Sequence, residues 1–166
     1  MKIGLLSDTH SYLDNKIHEY FTSCDEIWHA GDIGDPAVLH QLQTWKPVRA
    51  VYGNIDEKVL QTTLPEDCWF TCGELTVLMT HIAGAPPNYN PRVKQLLKSR
   101  KADILVCGHS HILRVVKDAA WSMLYINPGA AGNHGFHHVK TILRFTIDGK
   151  QLKDMEVIEL GKRGAL

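Results

Sequence analysis

The sequence has no excess of charge and no long apolar run, and both absences exclude classes of protein. Lysine and arginine total 18, as do aspartate and glutamate, so the formal net charge is zero with histidine neutral. A broad nucleic-acid surface is not expected, because such binding depends mainly on neutralising phosphates. No apolar run approaches the roughly 20 residues of a membrane-spanning helix. The first apolar run meets Asp8 too early for a signal peptide, so we expect a cytoplasmic protein.

Cysteine is scarce as well. The chain has four cysteines and no C-x-x-C pair, so no zinc-finger spacing is present. A chain of this length buries about two-thirds of its unfolded surface and needs no disulfides to fold. We therefore interpret the cysteines as small, reduced core residues.

The first part of the chain alternates short apolar runs with helical patterns. Strands are predicted at 3–7, 26–29 and 48–52, and helices are predicted at 15–23 and from Asp35-Pro36 onward. Aspartate can cap the free amides of a helix, and proline fits its first turn. The resulting order β-α-β-α-β favours a parallel sheet with crossover helices.

The second part is richer in strands, which are predicted at 75–80, 104–107, 112–116, 123–127, 140–147 and 152–160. One helix is predicted from Asn90-Pro91 to about Arg100, and Asp148-Gly149 indicates a hairpin between the last two strands. We expect these strands to be mainly antiparallel. Nothing marks a linker or a repeat. The sequence thus predicts the α/β class, with two sheets flanked by helices in a single domain over residues 1–166.

Polar side chains of a few kinds recur where the predicted strands end. In open α/β sheets, binding sites form beyond the carboxyl ends of the strands. We therefore expect these side chains, which come from segments far apart in the sequence, to converge on one rim. They are Asp8, His10, Asp32, Asn54, His81, His109 and His111.

These residue types are suitable ligands for Mn, Fe, Zn or Ni. They are too many for one ion with open positions, so they predict two ions that share a bridging carboxylate. Asp32 is the natural bridge, because a carboxylate has two oxygens that can accept separately. Two divalent ions carry four positive charges, and Asp8 and Asp32 supply only two negative ones. Such a site should attract a phosphoryl group, activate water and hold the oxygens of an in-line displacement.

The motifs D-x-H, G-D, G-N, H and G-H-x-H, in this order, resemble those of the calcineurin-like metallophosphoesterase family. The short chain is most similar to its small YfcE-like prokaryotic branch. The resemblance implies a four-layer αββα fold, a β-sandwich flanked by helices. It also implies a phosphoesterase, with phosphodiesters favoured over phosphomonoesters, that hydrolyses a small phosphorylated substrate.

The resemblance further implies roles for individual residues. One metal site would use Asp8, His10, Asp32 and His111, and the other would use Asp32, Asn54, His81 and His109. Asp32, Asn54 and His109 would take part in catalysis, with a water that bridges the ions as the nucleophile. Mn²⁺ is the expected ion, with Zn²⁺, Fe²⁺, Ni²⁺ and Co²⁺ as alternatives.

Three positions need separate interpretation. Many family members have a histidine after G-N that assists the leaving group, whereas Ile55 stands here. We therefore expect good leaving groups to be favoured, since proton donation contributes roughly 10²–10⁴-fold. Asp56 is interpreted as either a support for the site or a local cap. Of the histidines at 134, 137 and 138, His134 is the preferred candidate for substrate binding, together with Asn54.

A second class of function stays open beside the enzyme. The retromer complex contains a subunit with this fold that serves mainly as a protein-interaction scaffold, and a fold does not guarantee catalysis. The complete set of ligand-type residues favours the enzyme. An exposed apolar patch far from the metal site would favour the scaffold. The resemblance also suggests a homo-oligomer.

Overall fold

The chain forms two five-stranded β-sheets that pack face to face, in a computed structural model that describes residues 1–164. The elements are, in order, β1 (Lys2–Leu6), α1 (Lys16–Phe21), β2 (Glu26–His29), α2 (Pro36–Trp45), β3 (Val48–Ala50), α3 (Lys58–Thr63), β4 (Asp67–Cys72), β5 (Leu75–Thr80), β6 (Gly84–Ala85), β7 (Asn88–Tyr89), α4 (Pro91–Ser99), β8 (Ile104–Val106), β9 (Leu113–Asp118), β10 (Met123–Pro128), β11 (Val139–Asp148) and β12 (Gln151–Lys162). No helix in this described part of the chain combines the length and apolar character needed to cross a membrane.

The first sheet has the strand order β12-β11-β1-β2-β3. Strands β1, β2 and β3 run parallel, as the β-α-β-α-β pattern predicts. Helix α2 begins as predicted, because the Asp35 side chain accepts a 2.8 Å hydrogen bond from the N–H of Ala37 and Pro36 occupies the first turn. Strands β11 and β12 form the predicted antiparallel hairpin, with Asp148 paired to Gln151 next to its turn.

The second sheet has the order β4-β5-β8-β10-β9, and it corrects one expectation. We expected the strands of the second part to be mainly antiparallel. Instead, β8 lies between β5 and β10 and runs parallel to both. Only the outer strands β4 and β9 run antiparallel to their neighbours. The reason is burial: β10 is almost entirely buried and takes an inner position, whereas β9 exposes Arg114 and Lys117 and lies at the edge.

Four short elements, α3, β4, β6 and β7, were not predicted from the sequence. Helix α3 buries only Leu60, and strand β4 is mostly half-buried at a sheet edge. Strands β6 and β7 form a separate two-stranded ribbon in the loop before α4. Each is too short or too weakly patterned to stand out by periodicity alone.

Apolar side chains divide the molecule into four layers. Between the sheets, Leu5 and Trp28 of the first sheet meet Phe70 and Met79 of the second in one buried cluster. A second cluster packs α1 and α2 on the outer face of the first sheet, and a third packs α4 on the outer face of the second. The predicted sandwich of two sheets flanked by helices is confirmed. All four cysteines are free thiols, and Cys68 alone is not fully buried.

The parallel strands bring their carboxyl ends to one rim of the sandwich. The segments that follow β1, β2 and β3 on the first sheet, and β5, β8 and β10 on the second, all leave the sheets there. Backbone hydrogen bonds join these segments, such as Asp8 N to Gly31 O at 2.9 Å and Gly108 N to His81 O at 3.0 Å. The rim therefore forms one connected framework for the polar side chains that it carries.

Candidate metal centre

Most of the predicted ligands lie in a backbone conformation that is rare for residues other than glycine. Their φ angles fall between 46° and 68°, in the left-handed region, at Asp8, His10, Asp32, His109 and His111. Each such position costs of order 1–3 kcal/mol and persists only where the surroundings impose it. Aspartate and histidine are among the side chains that adopt it most readily. The left-handed residues therefore cluster in the segments that carry the predicted ligands.

The first group of ligand-type side chains consists of Asp8, His10 and His111. One donor atom from each lies within 4.8 Å of the others. Nε2 of His111 is 3.1 Å from Oδ1 of Asp8, and Asp8 is fully buried. Nε2 of His10 is 3.6 Å from Oδ2 of Asp32, which connects this group to the second.

The second group consists of Asp32, His81 and His109, with donor atoms again within 4.8 Å of one another. Nε2 of His81 is 3.2 Å from Oδ1 of Asp32 and 4.0 Å from Oδ1 of Asp8. Asp32 therefore approaches histidines of both groups through its two different oxygens. This is the arrangement expected for a carboxylate that bridges two ions.

Unsatisfied atoms at the rim match a cation. In the described residues, four buried side-chain nitrogen or oxygen atoms have no hydrogen-bond partner, and three of them are Asp8 Oδ1, His10 Nε2 and His81 Nε2. His81 Nε2 is 3.2 Å from Asp32 Oδ1 and His111 Nε2 is 3.1 Å from Asp8 Oδ1, but neither approach has hydrogen-bond geometry. A buried unsatisfied polar atom costs about 1–3 kcal/mol. A divalent cation in each of the two groups would satisfy these atoms, so the residues fit such ions. That they bind them stays a prediction.

The orientation of His81 is set by the protein backbone. Its Nδ1 lies 2.8 Å from the carbonyl oxygen of Ala30. A carbonyl can only accept, so Nδ1 carries a proton and Nε2 faces Asp8 and Asp32. Burial alone would lower the pKa of His81, but the nearby carboxylates of Asp32 and Asp8 outweigh it, and the pKa is raised. Burial likewise acts against ionised Asp32, yet the adjacent His81 lowers the pKa of that carboxyl. A cation bound at Nε2 would require His81 in its neutral form, with the proton on Nδ1.

Backbone amides fix the two carboxylates. Oδ2 of Asp8 accepts a 3.1 Å hydrogen bond from the N–H of His109, and Oδ1 of Asp32 accepts one of 3.1 Å from Ile55. Asp56 supports the same region, because its two oxygens accept 2.7 Å hydrogen bonds from the N–H groups of Gly34 and Gly53. Of the two interpretations of Asp56, the geometry favours the support.

Two cavities meet at Asn54. One has a volume of about 300 Å³, and Asn54 lines it together with His81, Tyr52 and Arg92. The other has a volume of about 200 Å³ and is lined by Asn54 and by ligand-type residues of both groups. Asn54 itself is exposed. The rim can therefore hold a small molecule on each side of this amide.

The segment after β10 adds three side chains to the second cavity or its wall. His134 and Phe136 line the second cavity, and the centroids of the His134 and His10 rings are 4.8 Å apart. His137 contacts one of the candidate ligands, since its Nδ1 lies 3.3 Å from Nδ1 of His111. The contact of His137 was not expected, because the sequence gives no signal for the path of this loop.

His29 is buried in the core and is not one of the candidate ligands. It is fully buried, its Nδ1 accepts a 3.1 Å hydrogen bond from Gly31 N, and its Nε2 lies 3.0 Å from Oγ1 of Thr9. Burial lowers the pKa of His29 to about 4. His29 is therefore a neutral core histidine behind the candidate metal ligands.

The fold and the clustered ligands define a metallophosphoesterase type of protein, and comparisons with known proteins agree. The family model of the calcineurin-like phosphoesterase superfamily domain matches residues 1–150. The "Probable metallophosphoesterase" of Methanothermobacter thermautotrophicus is 30% identical over 168 residues, which cover 97% of this chain and 94% of that protein. The chain belongs to the calcineurin-like phosphoesterase superfamily.

Two solved structures show the same fold. An archaeal phosphodiesterase aligns with a TM-score of 0.75 and 23% identity, over 95% of this chain and all of the other. Vps29 of Entamoeba histolytica, solved in complex with Zn²⁺, aligns with a TM-score of 0.75 and 16% identity, over 97% of this chain and 99% of the other. Membership of the family implies divalent metal ions and phosphoester hydrolysis.

Proposed function

We propose that this protein is a two-metal phosphodiesterase that acts on a small phosphate ester. The observation that carries the proposal is the set of three buried, unpartnered atoms, on Asp8, His10 and His81, within two adjacent groups of ligand-type side chains. A single hydrogen-bond network would have paired these atoms, since buried polar groups rarely lack partners.

The residues divide between two ions that share one carboxylate. Asp8, His10 and His111 would hold the first, and His81 and His109 would hold the second, with Asp32 common to both. Asn54, which lines the cavities beside them, is proposed as a further ligand of the second ion. Divalent ions bound there supply Lewis-acid activation of water and neutralise charge on the phosphoryl oxygens. Mn²⁺ is proposed, and Zn²⁺ is an alternative because Vps29 of the same fold was solved with it. Fe²⁺, Co²⁺ and Ni²⁺ suit the same nitrogen and oxygen ligands.

The protein orients the ester around Asn54. Asp8 and Asp32 neutralise only half of the charge of two divalent ions, so the centre keeps a positive potential that favours an anionic phosphoryl group. The amide of Asn54 faces both cavities and can donate a hydrogen bond to a phosphoryl oxygen. His109 is exposed beside it and borders the same cavity. This is how Asp32, Asn54 and His109 would act in catalysis.

A diester suits this arrangement better than a monoester. A diester has two organic substituents, and two cavities flank Asn54. Apolar side chains border them, with Ile82 in the first and Ile55 and Phe136 in the second. His134 also lines the second cavity and is proposed to contact the substrate there. The likeness in fold to an archaeal phosphodiesterase supports the same preference.

The test is hydrolysis of bis-p-nitrophenyl phosphate and p-nitrophenyl phosphate, with Mn²⁺ and with a chelator. Wild type should hydrolyse the diester faster than the monoester, and only with metal. Asp32→Ala should lower the rate at least about 100-fold, because even residues that only support ligands contribute 10–100-fold. His40→Ala, an exposed histidine on α2, is the matched control and should keep full activity.

The alternative is a protein-interaction scaffold, like the retromer subunit of this fold. The likeness to Vps29 supports it at the level of the fold. A folded chain that binds metal but gives no turnover with Mn²⁺, Co²⁺, Ni²⁺ or Zn²⁺ would favour the scaffold. Three of the nine exposed large apolar side chains within residues 1–164, Ile55, Ile82 and Phe136, border the cavities at the candidate metal centre, where they suit a substrate rather than a distant protein partner.

A cytoplasmic location is part of the proposal. Free thiols at all four cysteines fit the reducing cytoplasm, where disulfides are rare. A small phosphorylated substrate, rather than a nucleic-acid duplex, is the proposed partner, since the net charge is zero. A homo-oligomer is proposed as well, and light scattering of the purified chain measures it directly.

A further inference from the structure

His111 and His137 are joined through their Nδ1 atoms, which lie 3.3 Å apart. Their ring centroids are 5.2 Å apart and the rings are nearly perpendicular. On its other side, Nε2 of His137 lies 2.9 Å from the carbonyl oxygen of Gly132. His137 thus sits between a backbone carbonyl and a side chain of the first ligand group.

The carbonyl determines the tautomer of both rings. An oxygen of a carbonyl can only accept, so Nε2 of His137 must carry a proton. In neutral His137, Nδ1 is then an acceptor, and the proton in the contact must come from Nδ1 of His111. The remaining nitrogen of His111, Nε2, is left with a free lone pair. That atom lies 3.1 Å from Oδ1 of Asp8, inside the metal centre.

The loop that carries His137 is anchored rather than loose. Nε of Arg163, just after β12, donates a 3.1 Å hydrogen bond to the carbonyl of His137, and the Arg163 N–H donates one of 2.9 Å to the carbonyl of His138. Gly135 passes so close to His111 that a Cβ there would overlap Nδ1 of that ring. The backbone of the loop therefore packs directly against the His111 ring.

We propose that His137 is a positioning residue that holds His111 in the Nδ1-protonated tautomer, with Nε2 free to bind a divalent cation. The inference rests on the proposed function, since it takes His111 as a metal ligand. His81 reaches the same state through the carbonyl of Ala30. The two histidines on opposite sides of the centre are thus prepared in the same way by different partners, as supporting groups prepare metal-bound histidines generally.

The first test reads the tautomer directly in the metal-free protein. Imidazole ¹⁵N spectra of the wild-type chain, recorded above the usual histidine pKa range, distinguish a protonated ring nitrogen from a bare one. We expect His111 to carry its proton on Nδ1 and His137 to carry its proton on Nε2. A bare Nδ1 on His111 would overturn the proposal, whatever the enzyme hydrolyses, because His137 then receives no proton from that ring.

The second test measures Mn²⁺ affinity by calorimetry in variants of this loop. His137→Ala should weaken the binding of one ion by about 10–100-fold, the usual effect of removing such support. His137→Asn should restore much of the affinity, because its amide oxygen can accept from Nδ1 of His111. His138→Ala is the control, since that neighbouring side chain is exposed and makes no hydrogen bond in the described structure.

The outcomes separate this proposal from the proposed function. If the wild type binds Mn²⁺ and His137→Ala binds it equally well, the positioning role is wrong and the metal centre stands. If the wild type binds no divalent ion, the proposed function fails, and this inference fails with it. If Ala and Asn at position 137 weaken binding equally, the acceptor role is wrong.

Discussion

The carboxylate of Asp56 accepts a hydrogen bond from the backbone N–H of Gly53, with 2.7 Å between Oδ2 and the nitrogen. Its other oxygen accepts an equally short hydrogen bond from the N–H of Gly34. One buried side chain therefore connects the loop that carries Asn54 with the loop that carries Asp32. The relative position of these two candidate ligands depends on it.

Removal of Asp56 should destabilise the chain and misplace Asn54. In Asp56→Ala, the N–H groups of Gly53 and Gly34 lose their acceptors, and each buried unsatisfied group costs about 1–3 kcal/mol. We expect a loss of about 2–3 kcal/mol in the free energy of unfolding, measured by denaturant titration, and weaker Mn²⁺ binding. Glu57→Ala, at the exposed neighbouring position, is the control. Equal stabilities of the two variants would show that the contact does not matter.

Gly53 tests how closely the backbone must approach Asp32. A Cβ at position 53 would overlap both Oδ1 and the backbone nitrogen of Asp32. Gly53→Ala should therefore displace the carboxylate and reduce Mn²⁺ affinity about 10-fold or more. Gly164→Ala, after β12, is the matched change, since Gly164 has no left-handed φ and its Cβ would meet nothing nearer than 3.4 Å. Unchanged metal binding in Gly53→Ala would mean that Asp32 is not a ligand.

His29 should make stability depend on pH. Its pKa is lowered by burial to about 4, against about 6.5 when unfolded, so the unfolded chain binds the extra proton first. The neutral ring's contribution is complete above about pH 6.5 and is lost as the pH falls toward 4. The loss is at most about 3 kcal/mol, at roughly 1.4 kcal/mol for each pH unit.

The matched variant is His29→Asn, whose amide oxygen can accept from Gly31 as Nδ1 does. It does not titrate, so between about pH 7 and pH 4 the wild type should lose more stability than the variant. The comparison is made in metal-free protein by denaturant titration at each pH. Parallel stability curves would contradict the assignment of His29 as a neutral core residue.

The fold was predictable where apolar runs are long or strongly bounded. Strands β2 and β5 have the predicted bounds, and α2 begins at the predicted Asp35-Pro36 cap. Helix α3 was not predictable, because a six-residue helix is marginal alone and depends on burying Leu60. The parallel pairing of β8 with β10 depends on which strand is buried, and a local pattern does not contain that information.

The sequence indicated more of the candidate site than of the strand pairing. The ligand types recur after successive strands, so one rule about strand ends brings Asp8 and His111 together across the chain. His137 escaped prediction, because its role depends on one 3.3 Å contact made by a loop without regular structure. Supporting residues have no pattern of their own, since their position is set by the ligand that they contact.

Ile55 should make the rate depend strongly on the leaving group. It lines the cavity beside Asn54 and cannot donate a proton. Bis-p-nitrophenyl phosphate should therefore react at least about 10²-fold faster than a dialkyl phosphate, the lower range for a missing general acid. Ile55→His should narrow the gap, and Ile55→Leu should not. Equal rates for aryl and alkyl diesters in the wild type would rule out this account of the leaving group.

The central claim is a centre of two ions, and it is tested most directly by counting bound Mn²⁺ while diester hydrolysis is measured, as metal-free protein is titrated. The account predicts two equivalents for each chain, with hydrolysis appearing only as the second one binds. His81→Ala should bind a single equivalent tightly and remain inactive, since it removes a ligand of one group only. Full hydrolysis with one equivalent, or in the presence of excess chelator, would contradict the account.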